Sequence, residues 1–298
     1  MRWIRESQPG SQFSHYFRRA MIITLAGNII LAGVKIAASY LSGSAAIYAD
    51  AINSISDVLY SLLLVGGFFL TLRPPDLTHP QGHSRFEPFL ALIVTLSMTI
   101  AGAEALRASV ARYLEGGSAI QPGIPMIALS LSVVIKGLMY HFIREIGQRI
   151  SSPGLNAAAS DNLSDVLTSF AAMIGIFGSN FLTPLLDPLA GIFVAVWIFK
   201  TVWSTAKENL GYLTGAGADD DLRQRILDSV KHLDGVEDVH HVIADYIGPK
   251  LLVEMHINVD GDITLNQAHA ICDQATAELE KIPEVDRAYV HVEPIGHS

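Results

Sequence analysis

Between residues 18 and 209 the chain alternates long apolar stretches with short polar ones. A helix needs about 20 mostly apolar residues to cross a bilayer, and six of the stretches reach that length. The pattern therefore predicts six transmembrane helices joined by short loops. We expect them at residues 18–41, 44–71, 86–112, 122–147, 156–181 and 185–209.

The pattern changes after residue 218, where apolar positions recur over shorter distances. Two segments, DDDLRQRILDSVKHL and TLNQAHAICDQATAELEKI, have helical spacing, and Thr264 is the expected N-cap of the second. Three others, VEDVHHVIADYIG, KLLVEMHINVD and DRAYVHVEP, alternate as strands do, with a turn at 248–250. The order α-β-β-α-β predicts an α+β domain of the ferredoxin-like, metallochaperone-like type.

The domain organisation follows from this change of pattern. We expect a six-helix transmembrane domain at 1–209, a linker at 210–218 and a cytoplasmic αββαβ domain at 219–298. The second domain is small, so pairing with a second copy would help it to bury a core.

Composition supports the membrane assignment and excludes several classes of protein. Half of the residues are hydrophobic and 16% are charged, against roughly 25% in soluble domains. The net charge of −9, without clustered Lys and Arg, argues against nucleic acid as a partner. The single Cys272 excludes an internal disulfide and a cysteine-based zinc cluster. The sequence contains no phosphate-binding glycine loop and no nucleophile constellation, so neither an enzyme nor an ATP-driven pump is expected.

Arginine and lysine collect beside the N-terminus, the second and fourth loops and the end of the sixth predicted helix. The loops at 42–44 and 180–184 contain neither. By the positive-inside rule both termini are cytoplasmic. We expect an integral protein of the cell (inner) membrane, and the polar segment 1–10 does not resemble a removable signal peptide.

Two of the predicted helices carry the same pair of polar residues in apolar surroundings. Asn53 and Asp57 are four residues apart, and so are Asp161 and Asp165. A four-residue step places both members of a pair on one helix face, one turn apart. An Asp at membrane depth costs about 2.5–3.5 kcal/mol and usually marks an ion or proton pathway. We therefore predict one divalent cation site, in preference to carboxylates that only cap or bridge helices.

Several segments resemble the cation diffusion facilitator family of metal exporters. They are ADAINSISD, HPQGHSRFEP, AAASDNLSDVLTS, LLDPLAG and VHVEP, spread over nearly the whole chain. The resemblance implies a homodimer in the lipid membrane that exchanges cytoplasmic divalent metal for protons by alternating access. It also implies that each protomer has a transport site of Asn53, Asp57, Asp161 and Asp165.

All donors of this predicted transport site are oxygens. Many zinc-transporting relatives resemble one another in having His where this chain has Asp161. Imidazole suits zinc, whereas carboxylate and carbonyl oxygens suit harder ions such as Mn²⁺. The Asn-Asp-Asp-Asp set resembles the manganese and iron branch of the family. We therefore favour Mn²⁺ or Fe²⁺ as the substrate, with Zn²⁺ left open.

A loop and the C-terminal domain carry weaker signals. Asp76, His79 and His83 are similar to residues that bind a peripheral metal in some relatives, and a solvated loop that takes up protons is the alternative. In the C-terminal domain the resemblance implies a regulatory metal cluster linking the two protomers. Its residues are His240, His256, His269, His291 and Glu293.

Three further residues have predicted positions. The two-residue repeat of a strand places Glu293 on the face of His291, and it places His241 on the face opposite to His240. Asp50 shares the helix face of the second-helix pair, as a second-shell acceptor, a waiting position for metal or proton, or a structural group. Lys136, within the fourth helix, is predicted to snorkel toward the cytoplasm rather than to form a gate.

Two other classes of function are left open by the sequence. One is a metal-gated channel or a membrane-anchored metal sensor without coupled transport. The other is a membrane scaffold that dimerises through its soluble domain. Metal flux in sealed vesicles separates them, because only a transporter coupled to protons moves metal uphill when a pH gradient is imposed.

Overall fold

The long apolar stretches form long helices in the computed structural model, which describes residues 11–42, 45–116, 123–181 and 183–295. The chain divides into two compact units between Asn209 and Leu210, here called the N-terminal and C-terminal units. The long helices are α1 (Ser11–Ser42), α2 (Ala45–Thr71), α3 (Phe86–Leu114), α4 (Ile124–Arg149), α5 (Pro153–Phe181) and α6 (Leu186–Thr214).

These helices lie where the apolar pattern predicts them, but the first begins earlier and the last ends later than expected. α1 begins at Ser11 and α6 ends at Thr214, beyond the apolar stretches, because polar residues continue the helices past the expected bilayer boundary. Four helical segments among the described residues are long and apolar enough to cross a membrane: Ser14–Ala38, Phe86–Leu114, Met126–Arg149 and Leu186–Thr214. α2 contributes the shorter apolar segment Asp57–Thr71.

The core of the N-terminal unit forms where the helices approach closely. α4 packs on α5 and α1, α1 packs on α2, and α3 packs on α5. The ring of Phe17 meets that of Phe68 edge-on, with centroids 4.5 Å apart. Gly27 lies so close to Met139 that an added Cβ would stand 2.3 Å from the sulfur. Small residues at such contacts let membrane helices approach, which brings the polar side chains of α2, α4 and α5 within reach of one another.

The C-terminal unit has the predicted order of elements. They are α7 (Asp220–Lys231), β1 (Asp238–Ile247), β2 (Lys250–Val259), α8 (Leu265–Glu280) and β3 (Val285–Pro294). The sheet order is β1-β2-β3, with β1 antiparallel and β3 parallel to β2. The predicted cap at Thr264 is confirmed, because its hydroxyl accepts from the Gln267 N–H while the Gln267 side chain accepts from the Thr264 N–H.

One face of the sheet is covered and the other is not. Val253, Met255 and Ile257 of β2 are fully buried and belong to the core that includes Ile226 of α7 and Leu279 of α8. Because side chains alternate along a strand, the residues between them on β2 point to the other face. That more exposed face carries the histidines of the C-terminal unit.

Candidate metal-binding sites

A buried lysine lies between the two acidic helices of the N-terminal unit. Lys136 of α4 is 5% exposed. Its Nζ is 2.6 Å from Oδ2 of Asp165 on α5 and 3.3 Å from Oδ2 of Asp57 on α2. A buried ammonium is tolerated only when it is paired. The three residues therefore form one polar centre, and we call them, together with Asp161, the acidic centre.

Asp161 joins this centre through a small cavity. The cavity has a volume of about 30 Å³, and both Asp57 and Asp161 line it. A space of this size admits one water-sized species. The residues that line it belong to α1, α2, α3 and α5. The cavity therefore lies where the helix faces that carry Asp57 and Asp161 meet.

Amide side chains complete the wall of the cavity. Asn28 donates to the Ser61 hydroxyl at 2.7 Å, and Ser61 donates to the backbone oxygen of Asp57 at 2.7 Å, which ties α1 to α2 beside the carboxylate. The side-chain oxygens of Asn28 and Asn162 are buried without a hydrogen-bond partner among the described residues. Buried acceptors of this kind are normally satisfied, so the cavity offers unused oxygen donors to a cation or to water.

Three of the four predicted transport residues lie near one another in the N-terminal unit. Asp57 and Asp165 contact Lys136, and Asp57 and Asp161 line the cavity. The side chains of Asn53 and Asp50 lie outside the described residues. The prediction that Lys136 snorkels toward the cytoplasm is wrong. Its ammonium turns inward because two carboxylates lie within bonding distance, and a paired ammonium has no need to reach the membrane surface.

The loop after α2 brings its three predicted ligands together. Asp76, His79 and His83 each offer a ligand atom, and these atoms lie within 4.8 Å of one another. Hydrogen bonds from the Thr78 hydroxyl and from backbone N–H groups hold the pKa of Asp76 down to about 2. Its other oxygen is 3.6 Å from Nε2 of His83, whose buried Nδ1 has no hydrogen-bond partner in the part of the chain that the structure describes. The loop thus presents a permanently charged carboxylate beside two imidazoles.

In the C-terminal unit, four of the five predicted cluster residues meet at one carboxylate. The parallel pairing of β2 and β3 puts His256 beside His291. Oε1 of Glu293 is 3.1 Å from Nδ1 of His256 and 3.4 Å from Nε2 of His291. Oε2 of Glu293 is 3.3 Å from Nε2 of His240. His269 lies apart within one protomer, on α8, largely exposed and 3.6 Å from Asp273.

Two residues near this cluster were missed by sequence reasoning. The register of β1 against β2 shifts between Val239 and His241, so a bulge interrupts the alternation. Both His240 and His241 therefore face the ring of His256, with centroids 5.7 and 4.7 Å away, and the expectation of opposite faces is wrong. Glu254 is the second omission, with Oε1 3.9 Å from Nε2 of His256. The two-residue repeat of β2 could have found Glu254, whereas no residue pattern indicates the bulge.

Comparison with known proteins covers both units. Residues 21–214 match the cation efflux transmembrane domain, and residues 218–295 match the cytoplasmic domain of cation efflux proteins. The uncharacterized transporter MJ0449 of Methanocaldococcus jannaschii is 33% identical over 276 residues, which is 92% of this chain and 97% of the relative. The manganese efflux proteins MneS and MneP of Bacillus subtilis are 25% and 27% identical, over 92% and 93% of this chain and 94% and 96% of theirs.

Proposed function

Because the chain belongs to the cation efflux family, whose members are membrane transporters and not enzymes, we propose that it exports a divalent transition metal through the acidic centre. Asp57, Asp161 and Asp165 are the proposed ligands in the described part of the chain, and Asn53 is the proposed fourth. Two relatives named as manganese efflux proteins support a metal substrate.

We propose the same architecture that the sequence predicts. All six long helices span the cell (inner) membrane, with both termini cytoplasmic. Residues 1–209 form the transport domain, 210–218 the linker and 219–298 a ferredoxin-like cytoplasmic domain. Two copies associate through this domain, since the matching family domain is a dimerisation domain and one face of its sheet is uncovered in a single protomer. Lipid surrounds the apolar outer faces of the helices.

The observation that carries the proposal is the position of Lys136. Its ammonium lies between carboxylates from two helices, 2.6 and 3.3 Å from their oxygens, and so occupies a cation position. Three carboxylates and one ammonium together carry two net negative charges, which one divalent cation neutralises. A monovalent cation would leave an uncompensated charge in a medium where charge is costly. The centre is therefore matched to a dication.

The chemistry of the donors favours Mn²⁺ or Fe²⁺. Every polar atom that faces the cavity from Asp57, Asp161, Asn28 or Asn162 without a partner is an oxygen, and none of the described lining residues is a His or Cys. Oxygen donors suit harder ions, and an all-oxygen shell accommodates six ligands more readily than a tetrahedral set. Zn²⁺ is the weaker candidate, because it prefers nitrogen or sulfur in a four-coordinate shell.

Proton coupling follows from competition for the same carboxylates. A protonated carboxyl group loses its charge and one lone pair, so protons and metal exclude each other at the acidic centre. If helix movements open the centre to one side of the membrane at a time, an inward proton gradient drives metal outward. The loop site of Asp76, His79 and His83 and the cluster around Glu293 are proposed as additional, regulatory metal sites, with His269 contributing only across the dimer.

Metal competition in proteoliposomes with an imposed pH gradient tests the proposal. We expect uphill Mn²⁺ or Fe²⁺ transport that slows when an uncoupler collapses the gradient. Uphill transport that is unaffected by the uncoupler would contradict proton antiport. Downhill flux alone, with no response to the gradient, would instead identify a metal-gated channel.

A further inference from the structure

The exposed face of the cytoplasmic sheet carries a row of imidazoles with a carboxylate on each side. His241, His256 and His291 lie opposite one another on β1, β2 and β3. Glu293 lies on one side of the row, against Nδ1 of His256 at 3.1 Å. Glu254 lies on the other side, 3.9 Å from Nε2 of the same ring. Donor atoms are thus present on both sides of His256.

The hydrogen bond to Glu293 decides which nitrogen of His256 is available to a metal. A carboxylate only accepts, so the Nδ1 of His256 carries the proton and donates to Oε1 of Glu293. The Nε2 atom then keeps its lone pair, and it faces away from Glu293, toward Glu254. Histidines that bind metals almost always donate their other N–H to a carboxylate or carbonyl in this way.

We propose that His241, Glu254 and the Nε2 of His256 form a second metal site in the cytoplasmic domain. Their ligand atoms lie within 4.8 Å of one another. Donors around one zinc ion stand about 2.0–2.2 Å from it, so small side-chain rotations suffice to close the shell. Two imidazoles and one carboxylate are a set that Zn²⁺ takes with a water as fourth ligand. The ligand class is therefore a borderline first-row dication such as Zn²⁺.

The site on the other side of the row keeps a ligand set of its own. Glu293 bridges to His240 through Oε2 at 3.3 Å and to His291 through Oε1 at 3.4 Å, and neither contact uses the Nε2 of His256. Both sites can be filled together when His256, predicted as a ligand of the Glu293 cluster, serves there only as a hydrogen-bond donor to the carboxylate and binds the metal of the new site through Nε2. The C-terminal unit of each protomer then holds two ions.

Access to the proposed site is direct. The side chains of His256 and Glu254 are 26% and 55% exposed in the protomer. A metal can therefore reach the ligands from solvent without any opening of the fold. The proposal also does not depend on transport, because none of its ligands belongs to the acidic centre.

The experiment counts bound Zn²⁺ per protomer in the full-length protein in detergent, by equilibrium dialysis and elemental analysis. Every variant carries Asp161→Ala, so that an ion bound in the acidic centre is kept out of the comparison. We expect His241→Ala and Glu254→Gln each to lose one Zn²⁺ per protomer. His232→Ala is the matched control, because it removes an exposed histidine of the C-terminal unit that belongs to neither site.

A double variant tests whether there are two sites or one. His291→Ala should remove a different ion, so His241→Ala combined with His291→Ala should lose two. An equal count in His241→Ala, Glu254→Gln and the control would overturn the proposal, as would a double variant that loses no more than either single one. Glu254→Gln preserves the shape of an exposed side chain, and circular dichroism of each variant checks that a loss of zinc is not a loss of the fold.

Discussion

The acidic centre of the N-terminal unit and the histidine row on the sheet of the C-terminal unit hold their proposed cation ligands in opposite ways. In the first, a buried ammonium lies 2.6 Å from one carboxylate and 3.3 Å from another. In the second, imidazoles and carboxylates share a half-exposed face and no Lys or Arg is paired with them among the described contacts. The difference follows from burial, because an uncompensated charge is costly inside the protein and cheap beside water.

This comparison shows what an empty metal site requires. Imidazoles are neutral when they are unprotonated, so a histidine site can be empty without an internal counter-ion. Buried carboxylates need a compensating charge, and the Lys136 ammonium supplies part of it by pairing with Asp57 and Asp165. A metal entering the acidic centre therefore has to displace an ammonium from its oxygens, whereas a metal at the sheet has only to displace water.

The largest expected effect comes from removing a carboxylate of the acidic centre. Asp57→Ala or Asp161→Ala should reduce Mn²⁺ flux at least roughly 100-fold, because breaking a buried charge pair or ligand set costs about 3–5 kcal/mol. Flux into proteoliposomes gives the measurement, and size-exclusion chromatography shows that the dimer persists.

Glu104→Ala is the matched control for these variants. It removes an exposed carboxylate of α3 whose partner among the described residues is Arg107, so flux should stay near the wild-type value. Near-normal transport by Asp57→Ala or Asp161→Ala would show that the metal takes another route. The difference between the membrane site and the cytoplasmic site would then have no bearing on transport.

The next effect tests whether the Lys136 ammonium competes with the metal for the carboxylates. Lys136→Gln removes the charge that a metal has to displace, so Mn²⁺ should bind roughly tenfold more tightly, which is about 1.4 kcal/mol. Affinity is measured in detergent by competition with a fluorescent chelator. Lys207→Gln, at an exposed position of α6, should leave the affinity unchanged. Equal or weaker binding by Lys136→Gln would mean that the lysine organises the ligands rather than competing with the metal.

The sequence predicted the parts of the molecule that depend on local spacing. The four-residue step found Asp57, Asp161 and Asp165, and the apolar lengths found the six helices. The inward position of Lys136 was not predictable, because it depends on tertiary packing that brings the lysine of α4 to carboxylates of α2 and α5, far apart in the chain. The placement of His241 depends on a strand bulge, which leaves no residue signature here.

A smaller effect is expected on metal preference. Asp161→His replaces an oxygen donor by an imidazole, so the ratio of Zn²⁺ to Mn²⁺ transport should rise roughly fivefold, or about 1 kcal/mol. Asp161→Asn is the control, since it keeps an oxygen donor and alters only the charge. The measurement is transport of both ions from one mixture. If Asp161→His moves both metals poorly at an unchanged ratio, selectivity lies in helix spacing or in the cytoplasmic histidines.

The smallest effect tests whether the stability of the cytoplasmic domain influences metal transport. Thr264→Ala removes the hydroxyl that accepts from the Gln267 N–H in the capping box, and it should lower the free energy of local unfolding of α8 by about 1 kcal/mol. Hydrogen exchange of the α8 amides, followed by mass spectrometry of the whole protein, should accelerate about fivefold. Thr276→Ala is the control on the same helix. The Thr276 hydroxyl bonds to Cys272 one turn earlier, and Ala is the better helix former, so exchange there should not accelerate. Because no ligand of the acidic centre lies in α8, metal flux should be unchanged by either variant. A loss of flux in Thr264→Ala alone would show that the two regions are coupled through the fold of the cytoplasmic domain.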